Sequence, residues 1–534
     1  MTKAVLEQLE ATMGRDLSAF LPELILCGAI VLLLLFRLLR LFDRMHLGWA
    51  ALGFILFALA QSCLQWVHFH DYIPAGTVIS ADAQSVNLFN GMLIFDRFSI
   101  FIKIFLYGFT ALVALMALLS RIPDIDDSAD FFCLLLGSAV GMSIMASANH
   151  LLMVFMGVEM ASVPSYALAG FLKGKRQSSE AALKYVVYGG GAAGIMLYGI
   201  SLLAGKFGTG YLPDVLTFVA ISPTDPFVLM GMLFILVGVA FKLAAVPFHF
   251  WCPDVFEGAA AEVAAFLSVA SKGAALALLA RIALGLTGIP HAAIPVLAFF
   301  AALTTTFGNF AAYSQTNLKR LLAYSTIAHA GFMMMGLATL TREGAGAVLF
   351  YLMVYLVMNL GAFAVVAFLR NVTGSEDLSS FRGLVQRSPV MVIALAVFLL
   401  SLLGMPPLGG FVAKFQIFYV LYDTANLYQT AGEAGLAATL YALLVIGGLN
   451  TVVSLIYYVK VLKVMVLDKP LEDVEGQPVA PLPTPTSQNA YATALAVLVL
   501  ALGIFWGPLS QASKVEGVET FRRPAVRLQA KGVS

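Results

Sequence analysis

Lys242 ends a long apolar run in VLMGMLFILVGVAFKLAAVPF, Pro247 follows five residues later, and Lys272 lies about ten residues into the next apolar run. A lysine inside a membrane costs about 3 kcal/mol on insertion scales and is read by default as functional. An ammonium taken out of water gives up its proton more easily, so a group of this kind can take and give protons near neutral pH. Pro247 cannot donate to the carbonyl of Leu243, which exposes backbone polarity where hydrocarbon offers no partner. Two ammoniums flanking a broken helix point to an ion pathway, with both breaks and their freed carbonyls lining hydrated space.

Glu159, inside LLMVFMGVEMASVPSYALAGF, is the natural counter-charge for one of these lysines. At an effective dielectric of about 20, a contact near 4 Å is worth roughly 4 kcal/mol of gross attraction before desolvation, and one proton makes or breaks it. The plainer reading hydrogen-bonds Glu159 to Ser162 or to backbone. Lys184 sits four residues after Glu180, where an ordinary i,i+4 pair competes with a relay role. Lys414 lies just past a second break, in SLLGMPPLGGFVAKF. His249 and His329 are the two histidines within apolar runs, each either a bridge between lysines or a ring satisfied by a helix carbonyl. Lys103, a few residues after Arg97, reads as an interfacial anchor or a contact for a neighbouring subunit.

The elements that must carry these groups are membrane helices. Of 534 residues, 60% are hydrophobic and only 11% charged. A soluble chain of this length needs far more charge to cover its surface. One span takes about 20 apolar residues, and the chain holds about fourteen such runs, so the fold class is an all-α integral membrane bundle. The runs cover approximately 20–36, 47–67, 98–120, 131–147, 151–171, 181–205, 227 to beyond 247, 262–286, 294–313, 322–340, 345–369, 390–422, 437–466 and 490–509. The first run continues into a span without a small-residue cleavage site, so no cleavable signal is expected.

A net charge of +1 gives no reason to expect nucleic acid. Cys27, Cys63, Cys133 and Cys252 are scattered singly, against any zinc, iron–sulfur or disulfide framework. Gly189–Gly194, GGGAAG, matches the dinucleotide glycine pattern but falls inside an apolar span rather than between a strand and a helix. No cofactor is therefore expected in this chain.

Basic residues set the orientation. Arg37, Arg40 and Arg44, then Lys173, Lys175 and Arg176, Lys319 and Arg320, Arg370, Arg382 and Arg387, and Lys463 and Lys469 fall on one side if the spans alternate. Asp71, Asp82, Asp214, Asp225, Asp423 and Glu433 fall on the other, and the positive-inside rule then puts both termini away from the cytoplasm. The basic tail with Arg522, Arg523 and Arg527 runs against this. The second broken helix comes five spans after the first, and an odd offset reverses direction through the membrane. This predicts two inverted five-helix repeats, each with a broken helix, a pattern that marks a transport site. The expected divisions are 1–130 (flanking helices), 131–286 and 287–466 (the two repeats), 467–489 (a Pro-rich loop) and 490–534 (last helix and tail).

Taken together, VGVAFKLAAVPFHFWCPDVFEGAAAEVAAFLSVASK and SQTNLKRLLAYSTIAHAGFMM resemble the signatures of the antiporter-like, proton-translocating subunits of respiratory complex I, the NADH:quinone oxidoreductase. Lys414 resembles the lysine of the N-type branch, where M-type members have a glutamate. The resemblance implies a switch pair, Glu159 with Lys242, a span-six lysine at Lys184, a central lysine at Lys272 and an outer-exit lysine at Lys414, with His249 and His329 as possible relays. It implies that NADH, FMN, iron–sulfur clusters and quinone belong to other subunits. It also implies an M-type neighbour, small membrane subunits near the quinone site as the other neighbours, surrounding lipid, and a bacterial inner membrane. Two further readings stay open: a subunit of a multisubunit cation/proton antiporter, and a structural subunit with vestigial charges.

Overall fold

The computed structural model describes residues 13–39, 45–72, 85–470 and 481–521. Arg40, Arg44, Asp82, Arg522, Arg523 and Arg527 lie outside the described residues, as do 1–12 and 471–480 of the Pro-rich loop. The chain opens with α1 (Leu21–Leu38), α2 (Gly48–Val67), a hairpin of β1 (Ser85–Leu88) and β2 (Leu93–Asp96), α3 (Arg97–Ser120), α4 (Ser128–Ser147), α5 (Leu151–Ala169) and α6 (Arg176–Phe207). A short α7 (Leu212–Ile221) precedes α8 (Pro226–Leu243) and α9 (Trp251–Gly258), the two halves of the first discontinuous helix. Next come α10 (Ala261–Gly285), α11 (Pro290–Tyr313), α12 (Leu318–Leu337) and α13 (Arg342–Thr373). The second discontinuous helix is α14 (Pro389–Leu403) with α15 (Gly409–Thr430), followed by α16 (Ala434–Val466) and α17 (Thr486–Ile504).

Among the described residues, twelve helices are long and apolar enough to cross a membrane. The difference from about fourteen has a compositional cause. α12 carries Lys319, Arg320 and His329, and the twelfth expected span is split into α14 and α15, so neither stretch meets the same measure of length and apolarity. The β1–β2 hairpin and α7 are additions that the apolar runs did not announce.

Local chemistry starts these helices. Asp225 caps α8 by accepting from the amides of Phe227 (2.9 Å) and Val228 (3.3 Å), with Pro226 as its first residue. Asn317 caps α12 and Thr341 caps α13 in the same way. Small residues set the spacing: Gly141 lies against the backbone of Ala161, and Gly308 against that of Ala328, leaving no room for a methyl at either place. The GGGAAG stretch sits within α6, with Gly189 against Tyr166 and Gly190, Gly191 and Gly194 facing outward.

α10 is wholly buried and α13 nearly so; α1, α2, α16 and α17 turn most of their surface outward. One buried clamp fixes α10. Arg281 donates to both carboxylate oxygens of Asp96 at 2.9 Å and to the carbonyl of Ala146 at 2.8 Å, while Asp96 also caps α3 through the Ser99 amide. Removing one partner of such a pair leaves an uncompensated buried charge, so Asp96→Ala should cost about 3–5 kcal/mol. The expected result is a lower unfolding temperature and less assembled protein in the membrane; an unchanged melting curve would show the clamp to be dispensable.

Both described ends of the chain meet at one face. Phe89 donates to Asp16, Arg97 pairs with Glu516 and Glu519, and Arg342 donates to the carbonyl of Val518. At the opposite face lie the pairs Arg37–Asp130, Lys173–Asp127 and Lys319–Glu376. Two charges counted as loop or interface residues are buried instead: Lys319 by its ties to Glu376 and backbone, and Lys103 by a 2.8 Å pair with Glu23 on α1. Each found an anion or a carbonyl from a distant element, which removes the reason to reach for the interface.

Candidate functional site: a line of buried ammoniums

Lys242 occupies the last turn of α8, wholly buried, and its Nζ finds no hydrogen-bond partner among the described residues. Glu159, half-buried on α5, lies within electrostatic reach of it, but no ion pair at 4.0 Å or less joins them. The expected contact is therefore an opposed pair held apart in this structure. Ser162 does not take the Glu159 carboxylate either; its hydroxyl donates to the carbonyl of Val158.

The break beyond Lys242 is organised by Ala244 in the left-handed region, φ 54°. The carbonyl of Phe241 accepts from the Ala244 amide at 3.0 Å and from the Trp251 indole at 2.9 Å, and the amide of Val246 donates to Thr304 at 3.0 Å. At the second break Gly404 takes φ +91°, a conformation open to glycine without strain. There Lys414 donates to the freed carbonyl of Leu403 at 2.9 Å and stands 4.6 Å from the ring centre of Phe332. Protein donors thus meet the carbonyls of Phe241 and Leu403. Pro247, Pro406 and Pro407 themselves sit on the outer surface of the chain.

Lys272 follows a π-helical turn, Leu267–Ser271, and is wholly buried. Its neighbours are the Cys252 sulfur at 3.8 Å and the Phe256 ring at 5.8 Å. A carboxylate is absent from this set, so the cation rests on polarisable groups alone. His249, buried between the rings of Phe250 and Phe307, is within electrostatic reach of Lys272.

His329 is the junction. Its Nδ1 shares a hydrogen bond with the Tyr351 hydroxyl at 2.7 Å and its Nε2 with the Tyr458 hydroxyl at 3.2 Å. Tyr458 is bonded in turn to Ser325 at 2.5 Å. The adjacent Tyr457 donates to Asn309, whose amide reaches Asn450. The ring lies within electrostatic reach of both Lys272 and Lys414. The hydroxyl and imidazole groups of this chain can each donate and accept, which is what proton exchange along a line requires.

Lys184 stands apart from this line. It pairs with Glu180 at 2.9 Å and Asp254 at 2.6 Å, and Asp254 and Glu257 both hold Arg320, around a polar hollow of about 200 Å³. The geometry realises the i,i+4 pair and adds a second carboxylate. All four cysteines are free, and no group of three or more His, Cys, Asp or Glu gathers as a metal site among the described residues.

The transmembrane family described as NADH:quinone oxidoreductase/Mrp antiporter matches residues 148–441, which contain Glu159 and all four candidate lysines. The chain is 42% identical to NADH-quinone oxidoreductase subunit N of Anaeromyxobacter sp. over 80% of its own length and 84% of the relative's. The chain belongs to this family. It is also 39% identical to NADH-quinone oxidoreductase subunit N 2 of Sorangium cellulosum, over 92% of this chain and 96% of that one. Among solved structures, respiratory complex I from Thermus thermophilus with bound Aureothin contains a chain that superposes with a TM-score of 0.72 at 30% identity, covering 92% of this chain and 99% of that one. The Mrp complex from Dietzia sp. superposes at 0.77 with 20% identity, over 95% of this chain and 97% of that one, a likeness of fold. The family thus joins redox-driven and antiporter assemblies on one helical scaffold.

Several polar residues of the site were not singled out in the sequence: Tyr351, Tyr458, Ser325, Asn309, Asn450 and Cys252. An asparagine inside an apolar span was the one available signal, since intramembrane polar side chains are rare without a partner. Tyrosine and serine give none, being common in spans for other reasons.

Proposed function

We propose that the chain is a proton-conducting, multi-pass membrane subunit of an NADH:quinone oxidoreductase of the N type, coupling electron transfer in other subunits to proton movement. The observation that carries this reading is the sequence of three buried ammoniums, Lys242, Lys272 and Lys414, with His329 in electrostatic reach of the last two. Glu159 modulates the charge on Lys242. Protons reach Lys272, pass by way of His329 and its tyrosines, and leave past Lys414. His249 assists at Lys272, and Lys184 belongs to the charge cluster at the basic-rich face.

Residues 131–286 and 287–466 act as two inverted repeats, supported by the discontinuous helices α8–α9 and α14–α15. Residues 1–130 and 490–534 flank them, joined through the loop at 467–489. The basic-rich face is cytoplasmic, both termini lie on the other side of a bacterial inner membrane, and the neighbours are an M-type subunit and the small membrane subunits near the quinone site. NADH, FMN, iron–sulfur clusters and quinone are held by other subunits. Moving one charge against 100 mV costs about 2.3 kcal/mol, which the redox reaction must supply.

Purification of the intact complex from native membranes tests this. The expected result is co-migration with flavin- and iron–sulfur-containing subunits and NADH-driven proton uptake in vesicles. A complex without redox subunits that exchanges a cation for protons in the absence of NADH would replace this reading with the antiporter.

A further inference from the structure

Glu262 is the second residue of α10, the helix that carries Lys272 ten residues later. Its side chain is wholly buried, and neither carboxyl oxygen finds a hydrogen-bond partner among the described residues. A buried carboxyl is costly as an isolated anion, so it either holds a proton or faces a cation. The cation is at hand. Lys319 Nζ donates to the carbonyl of Ala259 at 2.7 Å, three residues upstream of Glu262, and lies within electrostatic reach of the carboxyl.

The charges on α3, α5, α9 and α13, which pack around α10, have partners of their own. Asp254 and Glu257 of α9 hold Arg320; on α3, Arg97 pairs with Glu516 and Lys103 with Glu23; Glu159 of α5 faces Lys242. On α13, Arg342 is tied to Val518, Glu343 faces Lys514, and Arg370 stands behind Lys319 at Glu376. Lys319 in turn pairs with Glu376 at 2.9 Å, and the Glu376 side chain is 14% exposed at the basic-rich face. A series of ionisable groups therefore runs inward from that face: Glu376, Lys319, Glu262. Ten residues of helix place Lys272 about 15 Å deeper. Between them lie the hydroxyls of Ser268, held by Asn359 at 2.6 Å, and of Ser271, which has no hydrogen-bond partner among the described residues.

We infer that Glu262 is a proton-carrying carboxyl that feeds Lys272 from the basic-rich face. Its protonated form releases a proton inward along the Ser268–Ser271 turn to a neutral Lys272 amine, and the carboxylate, held by the Lys319 ammonium, takes up another proton from that face. This rests on the proposed route through Lys272 and adds its entrance.

The test uses the assembled complex in inside-out membrane vesicles, with NADH oxidation, proton uptake and subunit composition measured together. Glu262→Gln keeps shape without a titratable proton, Glu262→Met replaces the carboxyl with an apolar side chain of similar volume, Glu262→Asp restores the acid, and Lys272→Met serves as the control for the route itself. The expected result is assembly in all four, at least a several-fold loss of proton uptake in Glu262→Gln and Glu262→Met, and more than half of it kept in Glu262→Asp. A redox-induced infrared difference spectrum should lose one carboxyl C=O band in Glu262→Gln. Normal uptake in Glu262→Gln or Glu262→Met, or failure of both to assemble, overturns the inference while leaving the route intact if Lys272→Met is inactive. Normal uptake in Lys272→Met would instead remove the route on which the inference rests.

Discussion

Lys272→Met should abolish proton uptake and leave the subunit at least as stable as before. The lysine is wholly buried, and among the described residues its company is a thiol at 3.8 Å and an aromatic ring, with no carboxylate paired to it. Replacing a buried, poorly compensated charge by an apolar side chain of similar length is commonly neutral or stabilising, because the desolvation cost disappears with the charge. If Lys272 were an architectural group, the substitution would be silent or beneficial in every assay. If it is the middle station of the route, the substitution removes the group that accepts a proton from one side and hands it towards His329. Proton uptake should fall by about a hundredfold or more, the scale on which positioned proton-transfer groups act. Lys272→Arg should be nearly as damaging, since a guanidinium keeps the charge but does not release its proton. The measurements are proton uptake and NADH oxidation in vesicles together with the unfolding temperature of the purified complex. Retained uptake in Lys272→Met would show that protons bypass this residue.

The backbone plan was largely legible. Apolar runs separated by charged loops mark helices, so α8 was expected from 227 and begins at Pro226, and α13 was expected over 345–369 and spans Arg342–Thr373. Both helix breaks were legible too, because proline and glycine act on the backbone directly. The lysines were legible as chemistry through their cost in hydrocarbon. Their partners were not. His329 meets Tyr458 across 129 residues, and Lys103 meets Glu23 from another helix. Periodicity says how deep a residue lies in its own helix and nothing about which distant helix faces it. Lys319 shows the limit most clearly: counted with the topogenic charges beside Arg320, it instead turns inward to Ala259 and Glu376, while Arg320 stays at the rim with Asp254 and Glu257.

Glu159 and Lys242 should behave as a switch in which charge matters more than volume. The two lie within electrostatic reach yet form no direct ion pair, and the Lys242 ammonium has no hydrogen-bond partner among the described residues. A closed pair would hold the lysine charged by a strong local attraction; a wider gap leaves an interaction that a modest rearrangement can strengthen or relax. Lys242→Arg keeps a cation that does not deprotonate, and so should stop the relay in one state. Lys242→Ala removes the station and leaves Glu159 without its counter-charge. Glu159→Gln keeps shape but cannot modulate the lysine, and Glu159→Asp keeps the charge on a shorter arm. Coupled turnover should fall in Lys242→Arg, Lys242→Ala and Glu159→Gln by about a hundredfold, whereas Glu159→Asp should retain a larger share. Because Glu159 is only half-buried, its substitutions should affect assembly less than those of Lys242. NADH oxidation, proton uptake and subunit composition in vesicles separate the two effects. Normal proton uptake in both Lys242→Ala and Glu159→Gln would make the pair architectural, and control of the first lysine would then have to come from somewhere other than α5.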